Sequence, residues 1–213
     1  MEINEKEAIS DFWEIIPPQV LKKIMDEFKL KNSDVHGVNH WSRVYYYGHL
    51  LSKIHNIDLE IIAYFSIFHD SKRICEHDDP EHGYNGAEFF RKMDSIIHLK
   101  PENKEIIYEA CSKHNYQEQA DVKEIGVCFD ADRLDLWRVD MQPYNRYLHF
   151  EESKSDSMKQ YTKQFIEYNY KHTHLSKSII TNVYDSYDLT TSDGVNEKLN
   201  FVDKFLIFLN PKK

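Results

Sequence analysis

Glycine and proline are scarce, with six of each in 213 residues. A chain so poor in turn formers is read as long regular elements, and as helix over sheet. Cysteine is scarcer still. Cys75, Cys111 and Cys128 are widely spaced, odd in number and never paired as C-x-x-C. That excludes a disulfide framework and a thiolate zinc site, and predicts buried free thiols in a reducing cytoplasm. There is no excess of positive charge. Twenty-seven Lys and Arg face 36 Asp and Glu, for a net charge of −9. A protein that grips extended nucleic acid needs a cationic face, so that class is excluded, although a local basic pocket is not. No apolar run approaches the roughly 20 residues of a membrane span. The opening MEINEKEAISDFW has acidic residues in place of an apolar signal core. The expectation is a soluble, cytoplasmic protein. No Gly-rich phosphate loop and no G-x-S-x-G elbow is found either.

What is present is enough for a core: 41% hydrophobic residues, 14% aromatic. The pattern predicts an all-α, compact multi-helix bundle. Two short amphipathic helices are expected at 5–16 and 18–31, parted by Pro17-Pro18. A loop is expected at 32–40, with Asn39 capping a helix from about His40 to His55 whose Val44, Tyr47, Leu51 and Ile54 recur at helical steps. Asp58 is placed to cap LEIIAYFSIFHD, a segment apolar on nearly all sides and so a central buried helix. Further helices are expected at 83–98, 101–114, 120–138, 157–170, 175–187 and 195–209. The apolar 205–209 stretch and the Tyr-rich 161–170 segment are read as packing on the core. These divide one domain into N-terminal helices (1–32), a central unit (33–140) and a C-terminal helical extension (141–213).

Twelve histidines are two to three times the usual share. His49, His55, His98, His149, His172 and His174 are ordinary core or surface residues by placement. Others sit where helices meet the interior: His40 at a helix start, His69-Asp70 ending the apolar run YFSIFHDSKR, and Asp130 and Asp132 within GVCFDADRLDL. Buried charge is costly unless paired or bound to metal. Imidazole with carboxylate suits Mn, Fe, Co, Ni or Zn, and carboxylates tolerate Mg.

The ordered set HGVNHWSRV, FHDSKR, HDDPEHGYNGAEF and GVCFDADRLDLWR resembles the HD-domain superfamily of metal-dependent phosphohydrolases, over about residues 33–140. The resemblance implies His40, His69, Asp70 and Asp132 as ligands of one divalent ion. With His82 and His114 a second ion becomes possible, Asp70 bridging the two. His82 can instead be a polar helix start, and His114 a substrate contact or general acid. Asp130 and Asp135 either support the site or cap and solvate the helix. The resemblance implies hydrolysis of a nucleotide or another small phosphate ester by metal-activated water. Catalytic roles then fall to Asp70, His114, Lys72 and Arg73, and substrate contacts to Arg43, Lys72, Arg73 and His36. Arg43 can equally pair with an Asp to hold the site, and Arg133 is expected in a structural ion pair. This chain reads H-D-S-K-R where many relatives read H-D-x-G-K, so the substrate does not transfer. Two other readings use the same residues: a di-iron oxygenase, or a non-catalytic nucleotide-sensing module.

Overall fold

The computed structural model describes residues 3–31, 33–169 and 172–209, without the side chains of 202–209. Among the described residues there are eleven α-helices and no strand. They are α1 (Glu5–Ile15), α2 (Pro18–Glu27), α3 (Val38–His55), α4 (Leu59–Phe68), α5 (His82–Lys92), α6 (Pro101–Lys113), α7 (Lys123–Leu134), α8 (Glu151–Lys154), α9 (Asp156–Tyr168), α10 (His174–Asp185) and α11 (Ser192–Leu209). No helix is long and apolar enough to cross a membrane, among the described residues.

The helix starts follow local chemistry. Asp58 accepts a hydrogen bond from the Glu60 N–H at 3.1 Å, capping α4. Pro18 and Pro101 occupy first helical positions, where a missing N–H costs nothing. From α4 every residue between Ile61 and Phe68 is buried. Each large apolar side chain there contributes about 1.5–3 kcal/mol of burial, so the apolar run holds its charged end deep in the protein. Around α4 pack α3, α6 and α7, with α5 laid against α6 and α1, α2 and α10 closing the far side. Gly86 permits the approach of α5: a Cβ there would lie 2.4 Å from the Phe68 carbonyl oxygen. Gly83 does the same toward the Cys111 carbonyl of α6, at 2.6 Å.

Several boundaries differ from the sequence expectation. Helix α3 begins at Val38 with Gly37 as its N-cap, not at His40 under an Asn39 cap. Asn39 is instead buried, and its Oδ1 accepts the Thr173 N–H at 2.9 Å, tying α3 to the start of α10. Helix α2 stops at Glu27 because Phe28 turns into extended backbone to bury its ring. Helix α5 ends at Lys92, short of His98. Helix α7 ends at Leu134 and tightens into a 3-10 turn, Asp135–Val139, whose first carboxylate is drawn inward. In α9, Phe165 meets the rings of Tyr46 and Tyr47, which is core packing. The side chains of 205–209, expected on the core, lie outside the described residues. Cys111 and Cys128 are buried free thiols, and Cys75 is partly exposed.

Candidate metal centre

Two pairs of histidines face each other across Asp70. His40 Nε2 and His69 Nε2 are 3.0 Å apart, and His82 Nε2 and His114 Nε2 are also 3.0 Å apart. The proton on each ring is located by what its other nitrogen touches. His40 Nδ1 lies 2.7 Å from Asp135 Oδ2. His69 Nδ1 lies 3.0 Å from the Ser66 carbonyl, and His114 Nδ1 lies 2.8 Å from the Cys111 carbonyl. His82 Nδ1 meets the Asp79 carbonyl. All four of these partners can accept an Nδ1–H, which leaves the four Nε2 atoms turned toward one another and toward the carboxylates of the cluster. Two buried Nε2 atoms at 3.0 Å require a proton or another cation between them, since paired lone pairs would repel.

The carboxylates complete the picture. Asp70 Oδ2 is 3.6 Å from His40 Nε2 and 3.8 Å from His69 Nε2. Asp132 Oδ1 approaches the same two atoms, at 3.3 and 3.8 Å. The other Asp70 oxygen, Oδ1, is 3.3 Å from His82 Nε2 and 3.8 Å from His114 Nε2. Metal–nitrogen and metal–oxygen bonds of about 2.0–2.2 Å place neighbouring ligand atoms about 3.0–3.4 Å apart. His40, His69 and Asp70 form one mutually close set that could hold a metal ion, with Asp70, His82 and His114 a second, and Asp132 lies beside the two histidines of the first.

Charge inside the cluster is tuned by burial and by these contacts. Burial drives His69 down to about 3 from an ordinary 6.5. Burial also lowers His82, helped by His114. For His114, burial is outweighed by Asp70 and Asp132, and its value rises. Burial alone would raise Asp70, but His69, His114, His36 and His40 hold it well below the carboxylate range. Asp132 is likewise held down by His40 and His69 against its burial.

The remaining candidates separate. Asp135 is fully buried and supports the site: besides His40 it takes Arg43 Nε at 2.7 Å and Nη2 at 3.0 Å. That bidentate pair buries Arg43 against Asp135, the second of the two arrangements expected for it. His36 donates Nδ1–H to Asp70 Oδ2 at 3.0 Å, which makes it a positioning neighbour of the Asp70 carboxylate. Lys72 does not reach the cluster. Its Nζ pairs with Glu27 and lies 3.8 Å over the Phe89 ring. Arg73 does reach it, 3.8 Å from Asp70 Oδ1. Asp130 accepts the His149 and Phe150 N–H groups at 2.6 and 2.9 Å, an architectural role outside the cluster. Arg133 binds the Glu118 carbonyl at 2.7 Å and those of Gln117 and Tyr147, so carbonyls replace the expected ion pair. Arg138 was not singled out in the sequence. It donates Nε to the Val35 carbonyl at 2.8 Å and sits 3.8 Å from Asp135 Oδ2. Its Nη1 is buried without a hydrogen-bond partner among the described residues. The available signal was its spacing, three residues past Asp135.

No family model and no curated protein matches the chain. Among solved structures it is similar to a crystal structure of a predicted HD superfamily hydrolase from an uncultured Thermotogales bacterium. The TM-score is 0.57 at 20% identity, over 75% of this chain and 92% of that one. The architecture is thus the all-α HD-domain fold. At that identity the likeness carries the fold alone.

Proposed function

We propose that this protein is a metal-dependent phosphohydrolase acting on a nucleotide or another small phosphate ester. The observation that carries the reading is the facing pair of buried imidazole nitrogens, His40 Nε2 and His69 Nε2, at 3.0 Å with Asp70 and Asp132 beside them. A divalent ion bound there supplies Lewis acidity toward a phosphoryl oxygen and a water of lowered pKa. The chain does the rest. Asp135 and His36 hold His40 and Asp70 in register through single hydrogen bonds of 2.7 and 3.0 Å. His114, the one cluster imidazole whose proton affinity is raised, is placed to hold a proton for a departing oxygen. Arg73 carries a fixed positive charge beside Asp70 for a phosphate to meet.

A cavity of about 790 Å³ opens beside His82 and Arg73. That is within the range of small-molecule sites. Tyr84 and Tyr116 stand on its wall, 49% and 68% exposed, and offer ring faces to an aromatic or sugar moiety. Asp78, Asp79 and Glu81 on the same wall disfavour a highly charged polyphosphate, which points to a substrate with one phosphate group.

The test is a screen of nucleoside monophosphates and simple phosphoesters with Mn, Mg, Co and Ni, run on the wild type and Asp70→Ala. The reading requires phosphate release that Asp70→Ala loses while its circular dichroism is unchanged. Two iron atoms per chain with no phosphoester turned over would replace it by an oxygenase. Tight nucleotide binding without turnover under any metal would make the protein a sensing module.

A further inference from the structure

The two halves of the cluster are not equivalent, because a guanidinium sits in one of them. Arg73 Nη1 lies 3.1 Å from His82 Nδ1, 3.2 Å from His82 Nε2 and 3.8 Å from Asp70 Oδ1. The group is anchored at its other nitrogens. Nε donates to the Cys75 carbonyl at 3.1 Å and Nη2 to the His77 carbonyl at 2.7 Å. The turn that presents those carbonyls is itself fixed, since Asp79 Oδ2 accepts the Ile74 N–H at 2.9 Å. The side chain is 12% exposed. A guanidinium has no lone pair and does not lose its proton in proteins. It cannot ligate, and it holds its charge against His82 Nε2 and Asp70 Oδ1, two of the three ligand atoms a second cation would need.

We propose that the centre is mononuclear by construction: Arg73 takes the place of a second metal ion at the His82–His114–Asp70 position. This rests on the first cluster holding an ion, and it deepens the proposed chemistry. A phosphate at that ion is gripped from the other side by Nη1 of Arg73, in the role a second ion plays in two-metal sites. It also gives the H-D-S-K-R tail a purpose, since Arg73 is the residue that distinguishes it near the Asp70 carboxylate while Lys72 points away.

Charge repulsion at this range weakens a second divalent ion by about 100-fold or more. The measurement is a Mn²⁺ titration of the purified full chain by calorimetry, with elemental analysis after desalting. The expected result is one Mn²⁺ in the wild type, two in Arg73→Ala, and one again in Arg73→Lys and in the double variant Arg73→Ala/His82→Ala. Two ions of comparable affinity in the wild type would overturn the proposal, as would a single ion in a folded Arg73→Ala. Should Arg73→Ala fail to fold, electron paramagnetic resonance of the saturated wild type decides: isolated Mn²⁺ spins support it, and an exchange-coupled pair refutes it. None of these readouts uses turnover. One ion with no phosphoesterase activity removes the proposed function and leaves this inference standing; two ions with activity does the reverse.

Discussion

His40 Nδ1 and Asp135 Oδ2 lie 2.7 Å apart in the fully buried centre of the molecule. That one contact orients the His40 ring, and so turns Nε2 toward His69 Nε2 at 3.0 Å. The same carboxylate neutralises Arg43. Asp135→Asn should therefore do two separable things. Loss of one partner of a buried ion pair costs about 3–5 kcal/mol, or roughly 2–4 °C of melting temperature per kcal/mol for a chain of this size. Loss of the partner that orients a ligand costs about 10–100-fold in metal affinity. Mn²⁺ titration well below the melting transition separates the two. An unchanged affinity in the folded variant would show that Asp135 does not orient His40.

Lys72 and Arg73 are neighbours with opposite fates. Lys72 spends its charge on Glu27 and the Phe89 ring, outside the cluster. An exposed pair and a surface cation–π contact are each worth about 1 kcal/mol or less. Lys72→Ala should lower stability by about 1–2 kcal/mol and leave kcat/KM within about two-fold of wild type. A loss of kcat/KM of about 100-fold, with the melting temperature unchanged, would place Lys72 at the substrate after all.

The helical periodicity of α3 and α4 and the apolar run ending at His69 were legible because burial writes itself into residue spacing. Asn39 was misread because cap chemistry and a buried tether use the same side chain, and only the fold brings Thr173 to it. Arg43 and Asp135 are 92 residues apart, so their pairing is a tertiary fact that no local pattern contains. Lys72 and Arg73 look interchangeable in a sequence. Their directions are settled by a carboxylate on α2 and by two carbonyls of the 74–79 turn.

Gly86 is where helix packing and the metal centre meet. Its missing Cβ lets α5 rest on the carbonyls of Phe68 and His69, at would-be distances of 2.4 and 3.1 Å. Backbone oxygens cannot step aside as a side-chain tip does. Gly86→Ala should cost about 1–3 kcal/mol. It should also weaken Mn²⁺ binding, because relief comes only by moving α5 or the turn that carries His69 and Asp70. Normal metal affinity in a destabilised Gly86→Ala would mean that α5 yields and the ligand turn does not.

Acid should unfold the ion-free protein in two stages. His69 has a folded value of about 3 against 6.5, and His82 is lowered as well, in both cases first by burial. Below pH 6.5 the unfolded chain binds protons that these rings refuse in the folded state, so stability falls as pH falls from 6.5 toward 3. His114, which is raised, opposes this over its own range. The second stage belongs to Asp70, Asp132 and Asp135, all held below 3.8 by neighbouring cations and imidazoles against their burial. Their contribution is fully present above 3.8 and is lost as pH drops through their folded values. A bound divalent ion present at a hundred times its dissociation constant adds about 2.7 kcal/mol. It should raise the melting temperature near neutral pH by about 5–10 °C. Melting curves from pH 8 to 4, with Mn²⁺ and with chelator, test both points. A melting temperature that Mn²⁺ leaves unchanged at about pH 7 to 8 would mean that the folded protein holds no divalent ion.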